Sequence, residues 1–202
     1  MFEWVLDVIA SAGYLGLFAL MFLENLFPPI PSEVIMPLAG FLCARGEMNP
    51  VAAVLVGTAG SVVGALPWYW LGRGFGKDRV MWLSERYGLI LTVEPREVET
   101  AYEWFQRRGW WAVLFGRLVP AVRTLISVPA GFARMPMLPF LAFTTLGSLV
   151  WTALLLGAGY VLEDQYSRVE AYIDPVSKAV VIGVVGIYLY RVVGGLLARR
   201  GR

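Results

Sequence analysis

The chain carries very little charge for its length. Only 16% of its 202 residues are charged, whereas 58% are hydrophobic, and the mean hydropathy is +0.64. A water-soluble domain normally needs about a quarter of its residues charged to cover its surface. Residues 135–162 contain no charge at all, and about 20 apolar residues suffice to cross a bilayer. We therefore predict an all-α integral membrane protein in which residues 1–202 form one membrane domain.

Histidine is absent, and Cys43 is the single cysteine. These two facts exclude histidine-based metal sites and a disulfide within one chain. Carboxylates remain as the natural proton carriers, and we expect neither a metal nor another cofactor. The 17 basic and 15 acidic residues nearly balance, which says little about partners. No nucleic-acid partner is expected for this membrane protein. Glu3 and Asp7 stand where a secretory signal would have basic residues, so no such signal is expected.

Three segments are predicted to span the membrane: residues 50–73, 137–162 and 177–198. The first is free of charge up to Gly72 and ends in the aromatic cluster "PWYW". Between Ala179 and Ala198 the only charge is Arg191, which can extend toward the nearby interface. Gly60 and Gly64 form a G-x-x-x-G motif, which favours close helix packing within the fold or between chains.

Two further segments, 13–44 and 109–133, are long enough to cross but are interrupted near the middle. A charge at the bilayer centre costs about 2.5–3.5 kcal/mol or more, and broken backbone at that depth must be covered by protein or water. Each is therefore predicted to be a re-entrant hairpin of two half-helices. The interrupting charges are Glu24 and Glu33 in the first segment and Arg117 and Arg123 in the second. The predicted turn and close-packing residues are Pro28, Pro31, Pro120 and Gly131.

The remaining parts of the chain are amphipathic. Residues 77–108 are too charged to insert, and "EPREVETAYEWFQRRG" places Val98, Tyr102 and Phe105 on one face of a helix. We predict that this cytoplasmic region lies on the membrane surface. Residues 2–12 are predicted to form either a smaller interfacial helix or the start of a span over residues 4–23.

The two interrupted segments belong to an internal repeat. "PLAGF" at 37–41 recurs as "VPAGF" at 128–132, so the shared glycine is offset by 131 − 40 = 91 residues. The pattern Gly60-Ser61 followed by Gly72 recurs 87 residues later, at 147, 148 and 159. "FLEN" at 22–25 aligns with "FGRL" at 115–118. This alignment places Glu24 opposite Arg117 and Glu33 close to Arg123, with the acids in one repeat and the bases in the other.

The basic residues also predict an orientation. Arg199, Arg200 and Arg202 place the C-terminus in the cytoplasm. Counting back through three spans puts residues 73–79, 107–108 and 134 inside, and the acidic linker "LEDQYSRVEAYIDP" outside. The hairpins then open to opposite sides. Such inverted repeats are typical of secondary transporters, whose site lies between the two halves.

Two motifs, "ENLFPPIPSEVIMPLAGF" and "FGRLVPAVRTLISVPAGF", resemble the DedA family, which carries the VTT (SNARE-associated Golgi) domain. The resemblance covers about residues 13–162. It implies two facing re-entrant hairpins, with Glu24 and Glu33 as the acid pair and Arg117 and Arg123 as the arginine pair. For bacterial members it implies translocation of undecaprenyl phosphate, with dependence on the proton motive force. Eukaryotic relatives are linked to phospholipid scrambling.

The charged residues support two interpretations. Arginine's planar fork matches phosphate oxygens, so Arg117 and Arg123 are predicted to bind a lipid phosphate, either a polyprenyl phosphate or a phospholipid. Glu24 and Glu33 are predicted to couple transport to protons. The alternative is a set of static ion pairs that hold the hairpins together.

The predicted function is a proton-coupled lipid-phosphate translocase of the cytoplasmic membrane. Two other functions remain open: a proton-coupled transporter of a small solute or ion, and a membrane scaffold that transports nothing. An enzyme is not expected, since the sequence offers no recognisable nucleophile–base pair or metal cluster.

Overall fold

A computed structural model describes residues 2–26, 32–91, 95–120 and 122–162. Within these ranges the chain is helical and contains no strand. The helices are α1 (Phe2–Leu26), α2 (Ser32–Ala44), α3 (Pro50–Leu91), α4 (Pro95–Arg117), α5 (Ser127–Phe132) and α6 (Met137–Val161). The prediction of a span at 177–198 and the predicted turn residues Pro28 and Pro31 lie outside the described residues.

Three helices in the described part of the chain are long and apolar enough to cross a membrane. They cover Trp4–Leu26, Pro50–Arg86 and Met137–Val161. The third coincides with the segment predicted to span at 137–162. The second contains the segment predicted at 50–73 but continues to Arg86, into residues 77–108 that were predicted to lie on the membrane surface. The first covers residues 4–23, for which the sequence allowed either the start of an interrupted segment or a full span. The prediction of an all-helical membrane protein is therefore confirmed.

Three of the long helices change direction at a single residue. α1 breaks at Gly13 (φ 57°, ψ −131°) and α3 at Gly76 (φ 67°, ψ 170°). Both glycines adopt a positive φ that other residues rarely tolerate. α4 breaks at Arg108 (φ −141°, ψ 28°). The breaks at Gly13 and Arg108 fall where the sequence separated an amphipathic helix from an interrupted segment.

The helices pack in a crossed pattern. α1 lies against α3, α4 lies against α6, and α3 also contacts α6. The short helices cross over: α2 packs on α6, and α5 packs on α3. One apolar cluster consists mainly of residues from α1 and α2, and a second is built from α3, α4, α5 and α6. Each short helix is therefore held by a long helix from the other half of the chain.

Glycines permit these crossings. A Cβ added to Gly40 in α2 would collide with the main chain at Leu156, and one added to Gly159 in α6 would collide with Pro37. The two backbones therefore touch without intervening side chains, and this close approach positions α2.

The crossing of α5 over α3 has the same construction. A Cβ on Gly131 would meet the carbonyl oxygen of Tyr69, and one on Gly72 would meet that of Val128. Gly131, which the sequence grouped with the turn residues, lies inside α5, so its position requires a small residue because of close packing rather than a turn.

The G-x-x-x-G motif of α3 packs within the chain. Gly60 and Gly64 lie against the main chain of α1 at Phe18 and Phe22. The motif therefore mediates packing within the fold, where it holds α3 against α1.

Replacing Gly131 by alanine should force α5 away from α3. Overpacking of this kind typically costs about 1–3 kcal/mol, so we expect a clear fall in the thermal unfolding temperature of the purified protein in detergent. Gly157→Ala is the matched control, because an added Cβ there meets nothing within 4 Å, and it should leave stability unchanged or slightly raised. Equal unfolding temperatures for the two variants would contradict this account of the crossing.

Candidate functional site

A cluster of charged and polar side chains is buried where the ends of α1 and α4 meet. Its members are almost completely covered, with relative exposures of 2% for Glu24, 1% for Asn25, 2% for Arg117, 6% for Arg123 and 0% for Ser127. Charged side chains are almost never this buried in proteins unless they are paired. The cluster is therefore the main candidate for a functional site.

Local sequence explains how the two arginines reach the cluster. α4 ends at Arg117, and turns follow at residues 118–120, which include Pro120, and at residues 122–126. Proline cannot donate a main-chain hydrogen bond, and it disfavours helical backbone in the residue before it. The turns bring Arg123 back toward the end of α4, with its amide bonded to the carbonyl of Val119 at 3.0 Å.

Arg123 is held by a carboxylate and by an aromatic ring. Its Nη2 donates to Oε1 of Glu24, which makes a buried ion pair between the two halves of the chain. The guanidinium carbon lies 5.9 Å from the centre of the Trp151 ring. The Trp151 indole N–H in turn donates to Oγ of Ser32 at 3.3 Å, so the start of α2 is tied to the same centre.

Arg117 is held in a different way. Its Nη1 donates to Oδ1 of Asn25 at 3.1 Å, and its Nη2 donates to Oγ of Ser127 at 2.8 Å. Both of these acceptors are neutral. Among the described residues, nothing accepts a hydrogen bond from its Nε, although this atom is buried. Arg117 is therefore the guanidinium in the site with unused donor capacity.

Asn25 connects the two arginines. Its Nδ2 donates to Oε2 of Glu24 at 3.0 Å and to the carbonyl of Met21 at 3.3 Å, while its Oδ1 accepts from Arg117. Its main-chain carbonyl accepts the indole N–H of Trp68 at 2.9 Å. The side chains thus form one chain of hydrogen bonds from Arg123 through Glu24, Asn25 and Arg117 to Ser127.

The structure brings three of the four predicted charged residues into one hydrogen-bonded cluster, and it places Glu33 close enough to Glu24 for the two carboxylates to repel each other. Glu24 pairs with Arg123, whereas the alignment of the repeats had placed it opposite Arg117. Glu33 is half-buried in the first turn of α2, and the described contacts include no hydrogen bond or ion pair to its carboxylate. Pro120 lies in the turn that was predicted for it and is exposed.

Sequence reasoning missed Asn25, Ser127 and the role of Trp68. Asn25 is a polar residue next to Glu24 in an otherwise apolar helix, which was a usable signal. Ser127 had no comparable signal, because a serine that begins a helix is ordinary. Trp68 belongs to the "PWYW" cluster at the end of a predicted span, which gave no sign of a role in the site, but it is half-buried and bonded to the site.

The cluster is suited to bind an anion. Guanidinium groups are strong donors to phosphate and carboxylate oxygens, and the site contains two of them against one paired carboxylate. Among the described residues, no group of three or more His, Cys, Asp or Glu is arranged to hold a metal ion.

Comparison with known proteins gives a consistent family. The VTT domain profile matches residues 30–161. The "Undecaprenyl phosphate transporter A" of Bacillus subtilis is 31% identical over 193 residues, which cover 94% of this chain and 92% of that protein. The protein of the same name from Staphylococcus aureus is 27% identical over 186 residues, with 92% of each chain covered.

An "Alkaline phosphatase-like protein" of Lactococcus lactis subsp. cremoris is 39% identical over 186 residues, which cover 92% of this chain and 86% of the relative. No solved structure matches the chain. Since the profile covers more than half of the chain and full-length relatives share the same region, this protein belongs to the VTT-domain family of membrane proteins, the DedA family.

Proposed function

We propose that the protein is a translocase that moves a lipid phosphate, undecaprenyl phosphate in the first instance, across the bacterial cytoplasmic membrane. The family supports a role as a membrane transporter rather than an enzyme, and two relatives are named for undecaprenyl phosphate. The observation that carries the proposal is Arg117, a buried guanidinium with neutral acceptors and an unused Nε among the described residues. Such a group gains more from a phosphate than a fully paired arginine would.

The proposed architecture consists of two re-entrant hairpins that meet at the site. The part of α1 after Gly13 has 26 − 13 = 13 residues, and α2 also has 13. At about 1.5 Å per residue, such a helix is about 20 Å long, whereas the hydrocarbon core is about 30 Å thick. Each half-helix therefore ends inside the bilayer. The second hairpin consists of the part of α4 after Arg108, the turns of 118–126, and α5.

An inverted repeat is supported by the crossed packing. α1 lies on α3 as α4 lies on α6, and α2 lies on α6 as α5 lies on α3. The glycines at the two crossings, Gly40 with Gly159 and Gly131 with Gly72, are equivalent positions under the offsets of 91 and 87 residues. Inverted repeats allow one half to rock against the other around a site between them.

The proposed cycle exchanges the partners of the arginines. The phosphate binds Arg117 and competes with Glu24 for Arg123. The released carboxylate of Glu24 then takes up a proton, because an unpaired buried carboxylate is costly. Glu33, in the first turn of α2 beside the Ser32–Trp151 contact, is proposed to pass the proton to water. The C-terminus is proposed to lie in the cytoplasm, and the polyprenyl chain stays in the lipid beside the hairpins.

The hairpin topology predicts the depth of Val119. In a Cys43→Ser background, a spin label at Val119 should lie near the bilayer centre, where it collides with dissolved oxygen more often than with a water-soluble nickel complex. A label at Trp110, at the start of the same half-helix, should lie near the surface. Equal depths for both labels, or a Val119 label exposed to water on one side, would contradict a re-entrant second hairpin.

Arg117→Lys should abolish most translocation although it keeps the charge. An ammonium cannot present two parallel N–H donors to a phosphate, and a hydrogen bond to a charged group contributes about 1.5–3 kcal/mol, so we expect a loss of at least about tenfold. The assay is movement of a labelled polyprenyl phosphate in liposomes. Arg45→Lys is the matched control, since Arg45 is exposed and pairs with Glu47 at 3.3 Å. Full transport by folded Arg117→Lys would leave only a requirement for charge.

Glu24→Gln separates proton coupling from a static ion pair. If Glu24 couples transport to protons, the Glu24→Gln variant should still exchange lipid across the membrane, but an imposed pH difference should no longer drive net lipid movement. A purely static pair predicts a loss of about 3–5 kcal/mol from the unpaired arginine and a recovery of stability in Glu24→Gln/Arg123→Gln. Thermal stability and gradient-driven transport are measured on the same preparations. A stable Glu24→Gln variant with a normal response to the gradient would end the coupling proposal.

A further inference from the structure

The two arginines differ in how much donor capacity they retain. Arg123 bonds a charged carboxylate and stacks over Trp151. Arg117 bonds only neutral oxygens among the described residues, and its Nε, in a side chain that is 2% exposed, has no acceptor there. A buried N–H without a partner is costly, so this donor is suited to bind an oxyanion.

The unused donor lies on a particular edge of the guanidinium. Nε and Nη2 point their hydrogens the same way and together form one of the two edges that can bind an oxyanion bidentately. Nη2 already donates to Oγ of Ser127 at 2.8 Å. The opposite end of the group is occupied, because Nη1 donates to Oδ1 of Asn25. An incoming phosphate therefore has its best-matched place on the Nε–Nη2 edge, next to Ser127.

Ser127 can contribute a third donor at that place. Its oxygen accepts from Arg117, which leaves its own O–H proton free to point at a ligand, since a hydroxyl donates and accepts at once. Nη2 carries two hydrogens, so it can donate to Ser127 and to a ligand at once. Two N–H groups and one O–H group then match three oxygens. A phosphate monoester has three terminal oxygens, whereas a phosphodiester has two.

Asn25 holds the guanidinium of Arg117 in the orientation that this binding of a phosphate requires. Its amide accepts from Arg117 and donates to Glu24, and the carbonyl of Asn25 is itself anchored by Trp68. Because an amide oxygen carries no charge, it orients the guanidinium without neutralising it. A carboxylate at the same position would compete with the phosphate.

We propose that Arg117, Ser127 and Asn25 form a headgroup site for phosphate monoesters, in which Ser127 sets the preference over diesters and Asn25 positions the arginine. This inference rests on the proposed function and names its substrate class. In the described state all three side chains are buried, so the headgroup enters when the turns at 118–120 and 122–126 move. Val119, Val122 and Leu125 in this segment are exposed apolar residues, which suits a path from the lipid.

The first test measures selectivity. Liposomes of phosphatidylcholine contain labelled polyprenyl phosphate and either phosphatidic acid, a monoester, or phosphatidylglycerol, a diester, as competitor. Wild-type protein should be inhibited at least about tenfold more strongly by phosphatidic acid. Ser127→Ala should reduce that ratio by about fivefold or more, leaving only the part due to the greater charge of the monoester. Ser84→Ala is the control, a buried serine bonded to Met81 away from the site.

The outcomes separate this inference from the proposed function. No movement of polyprenyl phosphate by wild-type protein would overturn the function itself. Movement with an unchanged competitor ratio in Ser127→Ala would overturn only the role of Ser127. Should Ser127→Ala fail to fold, Ser127→Cys preserves the size and replaces the hydroxyl by a weak donor, and the same reduced ratio is expected.

The second test addresses Asn25. Asn25→Asp should raise the KM for polyprenyl phosphate by about tenfold or more, because the new carboxylate gives Arg117 a charged partner that competes with the substrate. Asn49→Asp is the control, since Asn49 caps α3 through the amide of Ala52 at 3.1 Å and aspartate caps equally well. A folded Asn25→Asp variant with an unchanged KM would overturn the role of Asn25.

Discussion

The buried bond between Glu24 and Arg123 connects the two halves of this molecule, and much of the surrounding structure serves to keep it covered. Neither charge could face lipid without a large cost, so the main chain around them must stop short, turn and be covered by protein. The ends of α1 and α4 supply the charges, while the start of α2 and the tryptophan of α6 cover Arg123. Stability and the proposed function therefore depend on the same few atoms.

Each short helix packs on a long helix of the other half, and these crossings fix the position of the charged cluster. α2 and α5 are too short to be stable alone, and each lies in backbone contact with a long helix of the other half. Helices in direct backbone contact have little room to slide along each other. The turns between α4 and α5 instead expose apolar side chains at Val119, Val122 and Leu125.

Much of the fold could be predicted from hydropathy and from residues that stop helices. Charge-free runs gave the long helices α3 and α6, and the breaks at Gly13 and Arg108 matched changes from amphipathic to apolar sequence. The repeat placed Gly40 and Gly131 in equivalent positions. It did not show that α2 crosses to α6, because an alignment of halves contains no information about which half packs on which.

The charged residues of the site could be predicted from the sequence, but not how they pair. Arg117, Arg123 and Glu24 were conspicuous in apolar segments. The pairing of Glu24 with Arg123 depends on how the turns of 118–126 fold back, which no local pattern specifies. Asn25 and Ser127 contribute through geometry, since an amide and a hydroxyl become important only when a guanidinium lies at 3.1 and 2.8 Å from them.

The order of the charges along the chain has a consequence for biosynthesis. Glu24 precedes Arg123 by 99 residues. At a synthesis rate of about 5–20 residues per second, Glu24 is therefore made roughly 5–20 seconds before Arg123. A carboxyl group can cross into the bilayer as the neutral acid, whereas a guanidinium cannot lose its proton in a protein. The half that inserts first thus carries the charge that can be neutralised, and the arginines arrive when a carboxylate is already in place to receive them.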